Sequence, residues 1–231
     1  GGRVPLIAGC AEYSGREASA YIRDVARAGA DGVMLLPPMV YKTAPEETLA
    51  HFRGVGATSD LPIMVYNNPV SYDTDVTPEM FAELADVEAL VAIKESSDDV
   101  RRLTDLANLT GDRYTLFCGV DDIVLEAVML GAVGWVAGLV NAFPEETVRL
   151  FRLAREGRYE EARALYRWFM PLLHLDTLPK LVQYIKLANA MTGLGSEHVR
   201  RPRLGLVGEE RARIEALVRK AMETRPALAA Q

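Results

Sequence analysis

Short apolar runs recur along the chain, each followed by a longer stretch in which apolar residues return every three or four positions. The runs are VPLIAG (4–9), GVMLLP (32–37), PIMVYN (62–67), LVAIK (90–94), YTLFCG (114–119) and GWVAGLV (134–140). They are near-continuous rather than alternating, the pattern of strands buried on both faces. The stretches between them predict amphipathic helices: REASAYIRDVARAGA, PEETLAHFRGVGATS, TPEMFAELADVEA, DDVRRLTDLANLTG and DDIVLEAVMLGA. Several open with Asp, Ser or Thr before Pro or Glu, a helix-start signal. Six alternations, with strand starts roughly 20 to 30 residues apart, predict right-handed βαβ units.

Past about residue 141 the pattern is helical only, through FPEETVRLFRLAREGRYEEARALYRWFMPLLHL, PKLVQYIKLANAMTG and GEERARIEALVRKAMET. The expected organisation is therefore α/β: residues 1–141 as a six-stranded (β/α) barrel part, and residues 142–231 as its final helix plus a C-terminal helical bundle. The wide apolar faces of these helices need a partner, so both parts are expected to form one structural unit. No Gly-x-Gly-x-x-Gly follows the first strand, which weighs against a dinucleotide-binding fold. The competing arrangement is the (β/α)₈ TIM barrel of ~250 residues. Six strands do not close eight, and a strand begins close to residue 1 with no initiator Met. Two N-terminal βα units are accordingly expected to be absent from this chain. An open six-stranded sheet, with an apolar edge on its first strand, is the alternative.

Composition narrows the classes. Apolar residues make up 49%, charged residues 25%, and the net charge is −6 with acids and bases mixed along the chain. A nucleic-acid partner gains no support from that balance. No apolar run reaches the ~20 residues of a membrane helix, and no signal-peptide pattern is present. Cys10 and Cys118 make neither a disulfide framework nor a metal-ligand spacing, which fits a reducing cytoplasm. His51, His174 and His198 lie far apart without metal-ligand spacing; at most His174 could approach a site from the C-terminal helices, and a core or surface position is the favoured reading. No metal and no cofactor is expected.

In a parallel barrel the chemistry sits where strands end. Two residues there stand out. Lys94 follows four apolar residues, Leu90 to Ile93, with no turn residue between. A lysine withdrawn from water tends toward its neutral amine, which can attack a carbonyl and form a Schiff base. The plainer reading is an exposed strand-end lysine paired with a neighbouring carboxylate. Tyr66, in VYNNP, can place its ring in the barrel mouth and relay protons beside an iminium. Its plainer reading is a structural tyrosine with one hydrogen bond. The residues expected to line the substrate are Gly119, Asp121, Asp122, Val136 and Gly138. For Asp121 and Asp122, after Gly119, helix capping is the default role.

VYNNP, then VAIKESS, then FCGVDD together resemble the pyruvate-type class I aldolase family, which includes dihydrodipicolinate synthase and N-acetylneuraminate lyase. The resemblance runs from VPLIAGC and GADGVMLLPP to the C-terminal helices. It implies a barrel with a helical bundle, a homotetramer, a Schiff-base lysine at Lys94, a catalytic tyrosine at Tyr66, and the Gly of a Gly-x-Asp-Asp/Glu segment at Gly119. There are departures. No Gly-Thr-x-x-Glu carboxylate site is present in residues 1–231. Ser71 stands where dihydrodipicolinate synthases carry an arginine for the aldehyde substrate's carboxylate. Met39, Val40 and Tyr41 follow Pro38 where those enzymes carry a Tyr-Tyr pair. Within the family, YNNP with VAIKESS and WFMPLLHLD are most similar to deaminases of 1-pyrroline-4-hydroxy-2-carboxylate, which release 2-oxoglutarate semialdehyde and ammonia. The 2-keto-3-deoxy sugar-acid dehydratases and dihydrodipicolinate synthase itself are the alternatives, and a catalytically dead relative that binds without turnover is a further one.

Overall fold

In the computed structural model, which describes residues 2–227, each of six strands neighbours the next in chain order. They are β1 (Ile7–Cys10), β2 (Gly32–Leu35), β3 (Ile63–Asn67), β4 (Leu90–Glu95), β5 (Thr115–Cys118) and β6 (Gly134–Trp135). The pairings from β1 to β4 are parallel. Six strands and an α/β order thus form as the apolar runs predict, and the six occupy one sheet.

The register of β3 on β4 is uneven. Ile63 faces Leu90 but Met64 faces Ala92, so Val91 is an extra residue in β4. That bulge shifts the phase of everything after it. Tyr66 falls opposite Lys94 and Asn67 opposite Glu95. Since successive side chains alternate across a strand, Tyr66 and Lys94 share one face of the sheet while Asn67 and Glu95 share the other.

The contacts divide the chain into two units, Gly1–Phe117 with Leu130–Gly134, and Cys118–Met129 with Trp135–Gln231. In the first unit the strands carry α1 (Gly15–Arg27), α2 (Pro45–Gly56), a one-turn α3 (Pro69–Tyr72), α4 (Pro78–Glu83) and α5 (Arg101–Thr110). Their starts have local causes. The Ser14 side chain accepts from Glu17 N, Thr77 accepts from Met80 N, and Pro45 and Pro78 sit where a helix has no use for an amide proton. Phe52, Phe81, Ile22, Leu35, Ile63, Leu84, Leu90, Ile93 and Leu106 are fully buried in this unit. The Arg113 guanidinium donates to the carbonyls of Ala85, Val87 and Leu90, which ties down the entry into β4. At β1, Leu6 N is taken by Asp31 Oδ2 at 2.8 Å. The strand therefore starts at Ile7, not residue 4, and Val4, Leu6 and Ile7 are exposed.

The second unit holds α6 (Val124–Met129), α7 (Pro144–Arg155), α8 (Tyr159–Leu173), α9 (Leu181–Met191) and α10 (Gly208–Glu223). The helical pattern over 143–175 is interrupted at Gly157, whose φ of 70° lies in the left-handed region that a glycine enters at little cost. Phe143, Trp168 and Phe169 pack as an aromatic cluster. Glu146, fully buried, is held by the Arg225 guanidinium from beyond α10. Among the described residues no helix is long and apolar enough to cross a membrane, and no group of three or more His, Cys, Asp or Glu side chains could hold a metal ion.

Candidate active site

Lys94 and Tyr66 come together in the first unit. Lys94 is 8% exposed, and its Nζ lies 3.6 Å from the centroid of the Tyr66 ring. The arrangement follows from the strands: both residues occupy the penultimate positions of neighbouring parallel strands and project from the same face. The neighbouring carboxylate does not pair with this lysine as the plainer reading supposed. Glu95 turns to the other face, where it accepts from Asn67 Nδ2 at 3.1 Å and Ser97 N at 2.7 Å and lies 3.5 Å from Arg102 Nε. An amine largely withdrawn from water beside a phenol is an arrangement able to form and protonate an iminium.

The opposite face carries a polar network that the sequence reading did not single out. Asn67 is fully buried; its Oδ1 accepts from Val76 N at 2.9 Å, and its Nδ2 also reaches Asp75 Oδ1 at 3.2 Å. Arg102 from α5 grips Asp75 through two nitrogens at 2.9 and 3.0 Å and donates to the Val76 carbonyl at 2.8 Å. Burial pushes the Glu95 carboxyl above its ordinary range, and the Arg102 charge opposes that. The signal was present in YN and KE: if the first residue of each pair faces one side, the second must be satisfied on the other.

Around Tyr66 lie two more residues. Asn68 Nδ2 donates to Tyr66 Oη at 3.1 Å. Tyr72, on α3, meets the Tyr66 ring edge-on, with centroids 5.8 Å apart. Ser71, between them in sequence, is exposed, and its N–H donates to Asn68 Oδ1.

The other residues expected to line the substrate belong to the second unit, Gly119, Asp121, Asp122, Val136 and Gly138. Gly119 and Asp121 are buried. Both Asp121 oxygens are occupied: Oδ1 accepts from Gly138 N and Trp135 Nε1, each at 3.0 Å, and Oδ2 from Leu139 N at 2.8 Å. This explains why β6 stops at Trp135 instead of continuing to residue 140. The amides of Gly138 and Leu139 are spent on Asp121, and a 3₁₀ turn over Leu139–Asn141 follows. Burial first, and Asp176 beside it second, push the Asp121 carboxyl up to about 7. Val136 N donates to Cys118 O at 2.9 Å. Asp122 Oδ2 is 2.7 Å from His174 Nδ1, so His174 reaches this acidic stretch, as the sequence allowed. Cys10 and Cys118 are buried free thiols, raised by burial to about 11 and about 12.

A model of the dihydrodipicolinate synthetase family matches residues 1–221. The chain belongs to this family. Membership makes it an aldolase-type lyase, an enzyme. Among its relatives, the 4-hydroxy-tetrahydrodipicolinate synthase of Pelobacter propionicus is 32% identical over 218 residues, covering 94% of this chain and 75% of the relative. That of Methanosarcina mazei is 31% identical over 219 residues, again covering 94% and 75%. Among solved structures, the 4-hydroxy-tetrahydrodipicolinate synthase of Methylacidiphilum fumariolicum superposes with a TM-score of 0.90 at 28% identity, over 96% of this chain and 74% of that one. A family member encoded by an Escherichia coli prophage, solved with pyruvate, superposes with a TM-score of 0.88 at 26% identity, over 96% and 76%. The family resemblance carried by VYNNP, VAIKESS and FCGVDD is thus confirmed, while the relatives named here are synthases and not deaminases.

Proposed function

We propose that Lys94 is the Schiff-base nucleophile and Tyr66 the proton relay of a lyase acting on a small 2-oxo-acid-type substrate. The observation that carries this reading is a lysine, 8% exposed, with its Nζ 3.6 Å from the centre of a tyrosine ring. The substrate we propose is 1-pyrroline-4-hydroxy-2-carboxylate. The Lys94 amine adds to the cyclic imine carbon, the ring nitrogen leaves that carbon, and the substrate stays as an enzyme-bound iminium. The iminium acidifies the adjacent carbon, Tyr66 removes its proton directly or through water, and the 4-hydroxyl departs as water. A proton then leaves the amine-bearing carbon and another is added at the carbon next to the iminium, so the double bond migrates to form an enamine that tautomerises to an imine. Hydrolysis of that imine releases ammonia, and hydrolysis of the Lys94 iminium returns Lys94 and 2-oxoglutarate semialdehyde. One water is consumed overall. Ser71, at the position where a carboxylate-binding arginine is expected of dihydrodipicolinate synthases, supports this choice.

A second reading is condensation of pyruvate with an aldehyde, favoured by the name its synthase relatives carry and by the pyruvate complex of the prophage-encoded member. Dehydration of a 2-keto-3-deoxy sugar acid uses the same iminium. In each case the working form we propose is a cytoplasmic homotetramer. Borohydride reduction in the presence of pyruvate tests the shared step: it should add the reduced pyruvate mass to Lys94, and an unmodified Lys94 would sink the reading. Turnover measured side by side on the hydroxy-pyrroline carboxylate, keto-deoxy sugar acids, and pyruvate with aldehydes then ranks the substrates.

A further inference from the structure

Tyr72 plays no part in the expectations above, yet the chain goes to some length to place it. Asn68 caps α3 with its Oδ1, and Pro69 starts the turn. Asp73 ends it with a φ of 53°, a left-handed conformation that turns the chain away immediately after Tyr72. The result is the edge-on contact with Tyr66, at 88° between ring planes. The same Asn68 amide that caps the turn through Oδ1 donates through Nδ2 to Tyr66 Oη.

The Tyr72 hydroxyl, on a ring packed edge-on against Tyr66, is held well above the ordinary tyrosine range, by burial first and by Tyr66 second. Tyr72 therefore keeps its proton, and it is the second group placed to donate toward the Tyr66 oxygen. The charged groups around the pair are Lys94 from β4, over the Tyr66 ring, and Asp73 next to Tyr72, tied to Lys42 at 3.2 Å. Glu95 faces away, into the network with Arg102.

We propose that Asn68 and Tyr72 form a two-donor cradle for Tyr66 Oη, which holds the phenolate during proton transfer to and from the Lys94-bound substrate. The cradle rests on the Schiff-base reading above. Tyr72 is a positioning residue: it touches no reacting carbon and gains or loses no proton. With pyruvate the step is simple. The Lys94 amine condenses with the keto carbon and releases water. Tyr66 phenolate then takes one methyl proton, the C–H pair becomes the new carbon–carbon double bond, and the iminium pair returns to nitrogen. Reversal in heavy water delivers a deuteron from the exchanged Tyr66 hydroxyl, so one methyl hydrogen is replaced and nothing is oxidised.

The test is the rate of pyruvate methyl exchange in heavy water, followed by proton NMR across pH on the full chain. Tyr72→Phe keeps the ring and removes the donor. Asn68→Asp keeps the capping oxygen and removes the other donor. Each should slow exchange near neutral pH by about tenfold and move the pH profile to more alkaline values. Borohydride trapping of pyruvate on Lys94 should reach the wild-type extent in both. Tyr72→Phe with the wild-type rate and profile, alongside normal trapping, overturns the cradle alone. No trapping in the wild type overturns the Schiff-base reading and the cradle with it. Should Tyr72→Phe fail to fold, a wild-type profile in Asn68→Asp overturns the proposal instead.

Discussion

Replacing Arg102 with Met removes the cation that serves the outer face of the sheet, behind Lys94 and Tyr66. The side chain holds Asp75 through two nitrogens, donates to the Val76 carbonyl and sits 3.5 Å from Glu95. Glu95 is 5% exposed, so without Arg102 it is a buried charge with amide donors only. Leaving such a charge unpaired costs about 3–5 kcal/mol. Protonation sets a ceiling on that cost. At about pH 7.5 a glutamate with the ordinary value of 4.5 is three pH units from protonation, which at 1.36 kcal/mol per unit is about 4 kcal/mol. At about pH 5 the same step costs under ~1 kcal/mol. The Asp75 pair, partly exposed, adds about 0.5–1 kcal/mol at either pH. The sign follows from linkage: burial raises the folded value of Glu95 above its unfolded one, so stability falls as pH rises through that window. Arg102 limits this fall, and its removal exposes it. The expected drop in melting temperature is about 7–20 °C at pH 7.5 and a few degrees at pH 5, read by circular dichroism. Adding Glu95→Gln to the Arg102→Met variant should recover most of the loss at pH 7.5, because the stranded charge is gone. Equal drops at both pH values, or a double variant no better than the single one, would refute the reasoning.

Lys94→Met should abolish the borohydride-trapped pyruvate adduct without lowering the melting temperature, checked by intact mass and a thermal scan. Tyr66→Phe should keep the adduct and lower turnover by about a hundredfold; full turnover would remove Tyr66 from the relay. Asp121 is raised to about 7 from 3.8, so the folded state gains on acidification and loses stability as pH rises between those values. Asp176→Asn removes the like charge and should flatten that decline, seen as a smaller fall in melting temperature between about pH 5 and about pH 7.5 than in the wild type. Gly138→Ala would bring a methyl against Asp176 Oδ1 and to 2.9 Å from Ile185 Cδ1. It should cost about 1–3 kcal/mol in urea unfolding.

Much of the fold was legible because apolar period and strand length are local properties. LVAIK and PIMVYN announce buried strands, and Lys94 and Tyr66 announce themselves by interrupting them at the end. The trimming of β6 was not legible. The run over 134–140 is apolar enough for a long strand, but Asp121, over a dozen residues earlier, takes two of its amides. Likewise α3 spans only four residues, too short for any period, and its cap is an asparagine whose second role depends on Tyr66 being nearby.

The sequence by itself determined that six apolar strands alternate with helices, and that a lysine and a tyrosine lie at the ends of two successive strands. Tertiary structure alone decided that those two meet. One extra residue, Val91, sets the register so that Tyr66 faces Lys94 and not Ile93. In a strand a slip of one residue exchanges the faces, and nothing in the local pattern records the slip. The partners of Asn67 and Glu95, and the approach of Tyr72 to Tyr66, depend on that register in the same way.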